Sequence, residues 1–227
     1  MIASASVDKT VRLWNATTGD AIGEPLYGHS GPVIVVSFST DAQWLASGSM
    51  DQTVRIWSIA TQRPSAIGPL VCSHPVTTVV FSVDCRLVAA AGDSDQRIYL
   101  WLAETGIPAR EPLFVGDRVN VVEFSPSGTQ ILSLAGGKVS VWSVTTGQQI
   151  LTLDNDNGYI FSAAYSPDGR IIGTGSRFDI VTLWDAQTGM ILTTLCGHGP
   201  IGQGSCLTQR EGPHILPRNT LIAACFA

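Results

Sequence analysis

Charge is scarce in this sequence. Of its 227 residues 14% are Asp, Glu, Lys or Arg, and lysine occurs at Lys9 and Lys138 alone. The absence of any basic run argues against a reader of phosphate backbones, because that affinity rests on clustered cations. Long hydrophobic runs are missing too. The longest apolar stretches, such as "LIAACFA" at 221–227, are far too short to span a bilayer. The opening "MIASASVDKT" holds neither a basic segment nor an apolar one, so no secretory leader is expected in it. Without an export signal, "NAT" at Asn15–Thr17 is not expected to carry a glycan. The five cysteines (Cys72, Cys85, Cys196, Cys206, Cys225) are odd in number, scattered and without a C-x-x-C pair. Free thiols in a reducing, intracellular compartment fit that pattern, cytoplasmic in preference to nuclear. A hydrophobic content of 44% with a net charge of -5 describes a folded chain.

What the sequence does have is repetition. "SASVDKTVRLW", "GSMDQTVRIW" and "AAGDSDQRIYLW" are versions of one phrase. Tryptophans stand at Trp14, Trp57, Trp101, Trp142 and Trp184, separated by 43, 44, 41 and 42 residues. A second series lies between them: "VIVVSFS" from Val33, "VTTVVFS" from Val76, "VNVVEFS" from Val119 and "IFSAAYS" from Ile160. Periods of this length mark arrays of stacked supersecondary units.

No long 3.6-residue periodicity appears inside a unit. A short β-branched run is followed by a polar turn, a second strand such as "WLASGS", an acidic turn, a third strand such as "TVRIWS" and a weaker fourth. "STDAQ", "SPSGT" and "SPDGR" recur at equivalent turns. Four short antiparallel strands per unit, repeated radially, make the blade of a β-propeller, with a linear solenoid as the alternative.

Gly28-His29 opens the second unit, Gly197-His198 follows the fifth, and "LWN", "IWS", "LWL", "VWS" and "LWD" close the third strands. Together these resemble the WD-repeat family, over about residues 1 to 198. The literal Trp-Asp pair occurs at Trp184-Asp185. The resemblance implies an all-β propeller with blades at 28–71, 72–115, 116–153 and 154–195. A partial blade at 1–27 precedes them, and a divergent tail at 196–227 follows. Met1 aligns inside a second strand, and after Cys196 the period stops. An open arc of four complete four-stranded blades and a partial first one is therefore expected. The alternative is a closed five-bladed ring in which the tail supplies the missing strand.

His29, Ser47 and Asp51 invite a hydrolase reading. The resemblance implies something else: a hydrogen-bonded network in which histidine, serine, aspartate and the Trp57 indole join neighbouring strands. The residues agree, because a buried indole N–H needs an acceptor, and "ASGSM" around Ser47 lacks the first glycine of a nucleophile elbow. Other repeats keep parts of the set. They are Ser4, Asp8 and Trp14; His74, Asp95 and Trp101, with Ala91 in the serine's place; Ser133 and Trp142; and Thr174 and Trp184, with Phe178 at the turn-acid position. Blade two should accordingly be the most rigid.

No catalytic, cofactor or metal residue is assigned. "DNDNGY" from Asp154 has its glycine one position too early for a calcium loop, and Tyr165 stands where the closing Glu belongs. His29, His74, His198 and His214 are too far apart in sequence and phase for a zinc site. An interaction surface is the better candidate. By register with the family, positions beside the first strand and before the turn acid face partners: Pro32, Ile34, Pro75, Thr77, Arg118, Asn120, Tyr159, Phe161, Val7, Met50 and Ser94. The bland alternative is that Ile34 and Phe161 fill gaps between blades. Trp44 starts a second strand, where packing under a loop and recognition are equally open. The function expected is non-catalytic scaffolding toward a protein or peptide, within a larger protein that supplies missing blades or an upstream domain. A propeller enzyme and a truncated fragment without independent function are the alternatives.

Overall fold

The computed structural model describes residues 1–92, 94–154, 159–176 and 180–196. In chain order the strands form a first pair and then four sets of four, with β6 and β7 counting as two halves of one strand. The chain is all-β, an array of short antiparallel sheets. It divides into two compact units, Met1–Phe124 and Ser125–Ala227.

In the first unit, β1 (Ile2–Ala5) pairs with β2 (Val11–Trp14). The second sheet runs β3 (Val33–Phe38), β4 (Trp44–Ser49), β5 (Thr53–Ser58). Two fragments, β6 (Arg63–Pro64) and β7 (Leu70–Val71), both lie on the outer edge of β5. The third sheet is β8 (Val76–Phe81), β9 (Leu87–Gly92), β10 (Arg97–Leu102) and β11 (Leu113–Phe114). The unit ends on β12 (Val119–Phe124). The second unit holds β13 (Gln130–Ala135), β14 (Lys138–Ser143) and β15 (Gln149–Leu153), joined in that order. After them come β16 (Ile160–Tyr165), β17 (Ile171–Ser176), β18 (Ile180–Asp185) and β19 (Ile191–Cys196).

The first sheet is incomplete, as its sequence implies: two strands, plus isolated bridges from Val11 to Leu26 and from Trp14 to Ala21. The tail at 197–227, with His198, Cys206, His214 and Cys225, lies outside the described residues, as do Phe178 and Asp179 and the Asn155–Gly158 stretch.

In the second and third repeats the second strand is rich in small residues, because both of its faces are covered. β4 reads "WLASGS" and β9 "LVAAAG", each buried after its first residue. A Cβ on Gly48 would come within 2.5 Å of Val76 Cγ1, so glycine lets the third sheet press against the second. Side chains such as Val54, Val76, Val79, Phe81, Val88 and Trp101 close that inter-sheet core. Val11, Leu13, Val33, Leu45 and Trp57 close the one before it. Thus Trp57 packs toward the preceding repeat, and Trp101 does the same one repeat later.

Candidate functional site

The side chains singled out in the second repeat meet in one chain of hydrogen bonds. Trp57 Nε1 donates to Ser47 Oγ at 2.8 Å, and Ser47 Oγ lies 2.7 Å from His29 Nε2. His29 Nδ1 lies 2.9 Å from Asp51 Oδ2. Asp51 also accepts from Ser30 N at 2.8 Å, Thr53 N at 3.0 Å and Thr53 Oγ1 at 2.6 Å. With Nδ1 protonated toward the carboxylate, Nε2 is an acceptor and the Ser47 hydroxyl proton points to it. Every donor then faces one way, from indole through hydroxyl and imidazole to carboxylate. Ser47 and Trp57 are fully buried.

Two shifted titrations follow from this packing. Burial holds His29 below the ordinary imidazole value, against the opposing pull of Asp51. Burial alone would raise the Asp51 carboxyl, but hydrogen bonds from Thr53, Ser30 and His29 outweigh it and hold the group at about 2. Asp51 has a local task as well: between it and Thr53 stands Gln52, whose φ of 67° is left-handed. The carboxylate clamps the turn around that residue. Asp8 does the same for Lys9 (φ 73°) through Thr10.

Three other repeats keep the indole bond and change what lies behind it. Trp14 donates to Ser4, Trp142 to Ser133 and Trp184 to Thr174, each at 2.8 Å. Among the described residues no histidine backs Ser133 or Thr174; their hydroxyls turn to the carbonyls of Ser140 and Thr182 at 3.5 and 3.4 Å. In the third repeat the network is broken. His74 Nδ1 stands 3.6 Å from Asp95 Oδ1, and the buried atoms His74 Nδ1 and Asp95 Oδ2 have no hydrogen-bond partner among the described residues.

The register corrects one assignment there. Trp57 pairs with Leu45 and Ser47 with Arg55; Trp101 pairs with Val88 and Ala90 with Tyr99. Ala90 therefore occupies the serine's place, and Ala91 corresponds to Gly48. Counting back from the tryptophan fails because "GDSDQR" carries one residue more than "SMDQT" in the turn. The extra residue also displaces Asp95 from hydrogen-bonding reach of His74.

A repeating feature that sequence reasoning passed over sits just after the closing tryptophan in four of the five repeats. Asp185 Oδ1 accepts from Thr188 N at 2.7 Å and Gln187 N at 3.1 Å. Asn15 caps Thr17 N at 2.9 Å, and Ser143 caps Thr146 N at 3.1 Å. A side-chain oxygen at that position ties off the turn toward the fourth strand, and Asn or Ser supplies it as Asp does. Leu102, at the same place, cannot.

Comparison with known proteins agrees with this architecture. The family described as "WD domain, G-beta repeat" matches residues 1–15, 21–58 and 68–101. Over these residues the chain matches the WD-repeat family. Its relatives include Coronin-7 of Rattus norvegicus, 32% identical over 105 residues, which are 43% of this chain and 11% of that protein. RACK1y, a small ribosomal subunit protein of Oryza sativa, is 32% identical over 80 residues, 34% of this chain and 24% of that one. Eukaryotic translation initiation factor 3 subunit I of Aspergillus niger is 39% identical over 72 residues, 31% of this chain and 21% of that one. The matched segments thus span about a tenth to a quarter of these relatives.

The WD-repeat register locates the candidate partner-facing residues at one end of the strands. In the first unit, Val33 N donates to Ser6 O at 3.0 Å and Met50 N to Pro32 O at 2.9 Å. These bonds gather Val7, Ile34 and Met50, exposed by 76%, 41% and 49%. Pro32, Pro75 and Thr77 are half-buried; Ser94, Arg118 and Asn120 are exposed. In the second unit Tyr159 and Phe161 form a tilted ring pair 5.1 Å apart, both exposed. Tyr159 is seated on Gly137, where a Cβ would stand 2.4 Å from its ring, so the glycines replacing the turn acid make room for an aromatic. Trp44 lies at the opposite strand end in the second repeat. Among the described residues, no group of three His, Cys, Asp or Glu is placed to hold a metal ion, and no helix is long and apolar enough to cross a membrane.

Proposed function

We propose that this chain is a non-catalytic WD-repeat scaffold whose exposed strand-end rim binds a protein or peptide partner. The observation that carries the reading is the occupancy of Ser47. Its oxygen accepts from Trp57, lies 2.7 Å from His29 Nε2 and is fully buried, so a substrate has no access to it. The residues that do face solvent at the rim are of contact type: Val7, Ile34 and Met50 in the first unit, and Tyr159 and Phe161 in the second. Arg118 and Asn120 add hydrogen-bonding capacity.

The chain works as part of a larger protein, with further blades or a fused upstream domain; the short share of each relative that it matches supports this. Its blades follow the repeat boundaries at 28, 72, 116 and 154. It acts inside the cell, in the cytoplasm; the free thiols of Cys72 and Cys85 suit a reducing compartment, and burial pushes the Cys72 thiol up to about 12, which makes it inert. No nucleic acid or membrane is involved. The test is affinity capture with the native chain against Ile34→Glu and Met50→Glu, each checked by thermal melting. Lost partners with an unchanged melt support the rim. Retention of every partner by both folded variants refutes it.

A further inference from the structure

Three successive repeats interrupt their outermost strand at a Pro-Leu pair: Pro25-Leu26, Pro69-Leu70 and Pro112-Leu113. Proline cannot donate to the ladder, so the outer strand loops away before the leucine rejoins it. The second repeat loops out most. Its inner strand takes three steps from Trp57 back to Val54, while the outer strand takes six from Pro64 to Leu70. In the first and third repeats the outer count is five, and in the fourth and fifth it is four.

The longest loop opens a cavity of about 480 Å³ between the second and third sheets of the first unit. Ile67 crosses to the next repeat, where a Cβ on Gly106 would lie 2.2 Å from its Cγ2. Trp44 and Phe81 wall the space, Ser65 lines it, and Glu104 stands at its edge as the one charged side chain among the lining residues. Ser65 Oγ is buried and has no hydrogen-bond partner among the described residues. A buried hydroxyl left unmatched in a cavity of ligand size points to a polar group that arrives with a ligand.

We propose that this cavity receives one aromatic or leucine-like side chain of an extended peptide segment that carries Lys or Arg beside it. The apolar walls take the side chain, the peptide backbone satisfies Ser65, and Glu104 faces the basic neighbour. The proposal rests on the reading of this chain as an interaction module, and it names a second surface, at the strand ends away from the rim.

The test is a titration of the native chain, following indole N–H resonances by NMR, with Trp44 assigned through Trp44→Phe. The probes are the capped peptides Gly-Phe-Arg-Gly, Gly-Phe-Glu-Gly and Gly-Gly-Arg-Gly, with benzylamine as a small-molecule control. Gly-Phe-Arg-Gly should shift Trp44 saturably, bind about fivefold tighter than the Glu peptide, and lose that preference in Glu104→Gln. Ser65→Ala should weaken it several-fold without lowering the melt, and Ala66→Phe should fill the space and abolish it. The proposal falls if no saturable shift appears, if Gly-Gly-Arg-Gly shifts Trp44 equally, or if the Glu peptide binds as well. It also falls if benzylamine matches the peptide, which would make the cavity a small-molecule site. Ile34→Glu and Met50→Glu should leave this titration unchanged, so failure of the groove and failure of the rim are read separately.

Discussion

The indole of Trp57 donates to Ser47 Oγ across 2.8 Å, from a ring that is itself fully buried. The same bond recurs at the same length in the first, fourth and fifth repeats, whatever stands behind the hydroxyl. Its constancy shows which contact the repeat is built around: a large ring buried between sheets whose one polar atom must be matched. The histidine and aspartate extend that match into the turns.

Ser47→Ala should therefore destabilise the native chain by about 1–3 kcal/mol, because both the Trp57 N–H and His29 Nε2 lose their partner. Urea unfolding followed by tryptophan fluorescence measures it. An unchanged midpoint would show that the relay contributes nothing to stability.

The broken third repeat gives the converse. Ala90→Ser places a hydroxyl where the register puts Ser47, within reach of Trp101 and His74. A gain of about 1 kcal/mol is expected, with slower exchange of the Trp101 indole proton. Ala91→Ser should gain nothing, since that position corresponds to Gly48. Stabilisation by the second substitution and not the first would contradict the register.

Acid should weaken the fold in two stages. His29 in the folded chain holds its proton less tightly than the ordinary value of 6.5, so the unfolded chain takes up a proton first as pH falls below that value. Stability is lost through this window. Asp51 drops from 3.8 to about 2 on folding, so its contribution is whole above pH 3.8 and is lost as pH falls toward 2. The second loss is on the order of 2 kcal/mol. Unfolding free energies from pH 8 to 2 check this, and Asp51→Asn should flatten the lower stage. A slope of opposite sign between pH 6.5 and 5 that disappears in His29→Gln would contradict the upper one.

At the turn between the first and second strands, Ala42 (φ 55°) and Cys85 (φ 59°) hold the left-handed place that Gly128 and Gly169 occupy later. Ala42→Gly should stabilise by up to about 1 kcal/mol, the relief of left-handed strain less glycine's entropic cost. A lower melting temperature would show that Ala42 sits there without strain.

Much of this was legible in the sequence because tryptophan, the turn phrases and the apolar runs keep one period. The relay of the second repeat was legible for the same reason. Ala90 was not, since an insertion of one residue is invisible until strand pairing fixes the register. The turn caps at Asn15 and Ser143 were hidden by chemistry: three different residue types present an oxygen to the same N–H groups. The looped outer strands escaped because Pro-Leu pairs read as ordinary turn punctuation. Trp44 could be placed at a strand start, but the cavity beside it is made by Ser65–Ile67, some twenty residues onward.

The central claim is that the rim binds while the Ser-His-Asp group only supports the sheets. It is tested most directly by quantitative capture of partners with three forms of the native chain: unaltered, Ile34→Glu/Met50→Glu, and Ser47→Ala held below its melting temperature. The account predicts partner loss from the rim variant at an unchanged melt, and full retention per folded molecule by Ser47→Ala at a lowered one. Retention by the rim variant, with loss of function in folded Ser47→Ala, would contradict it.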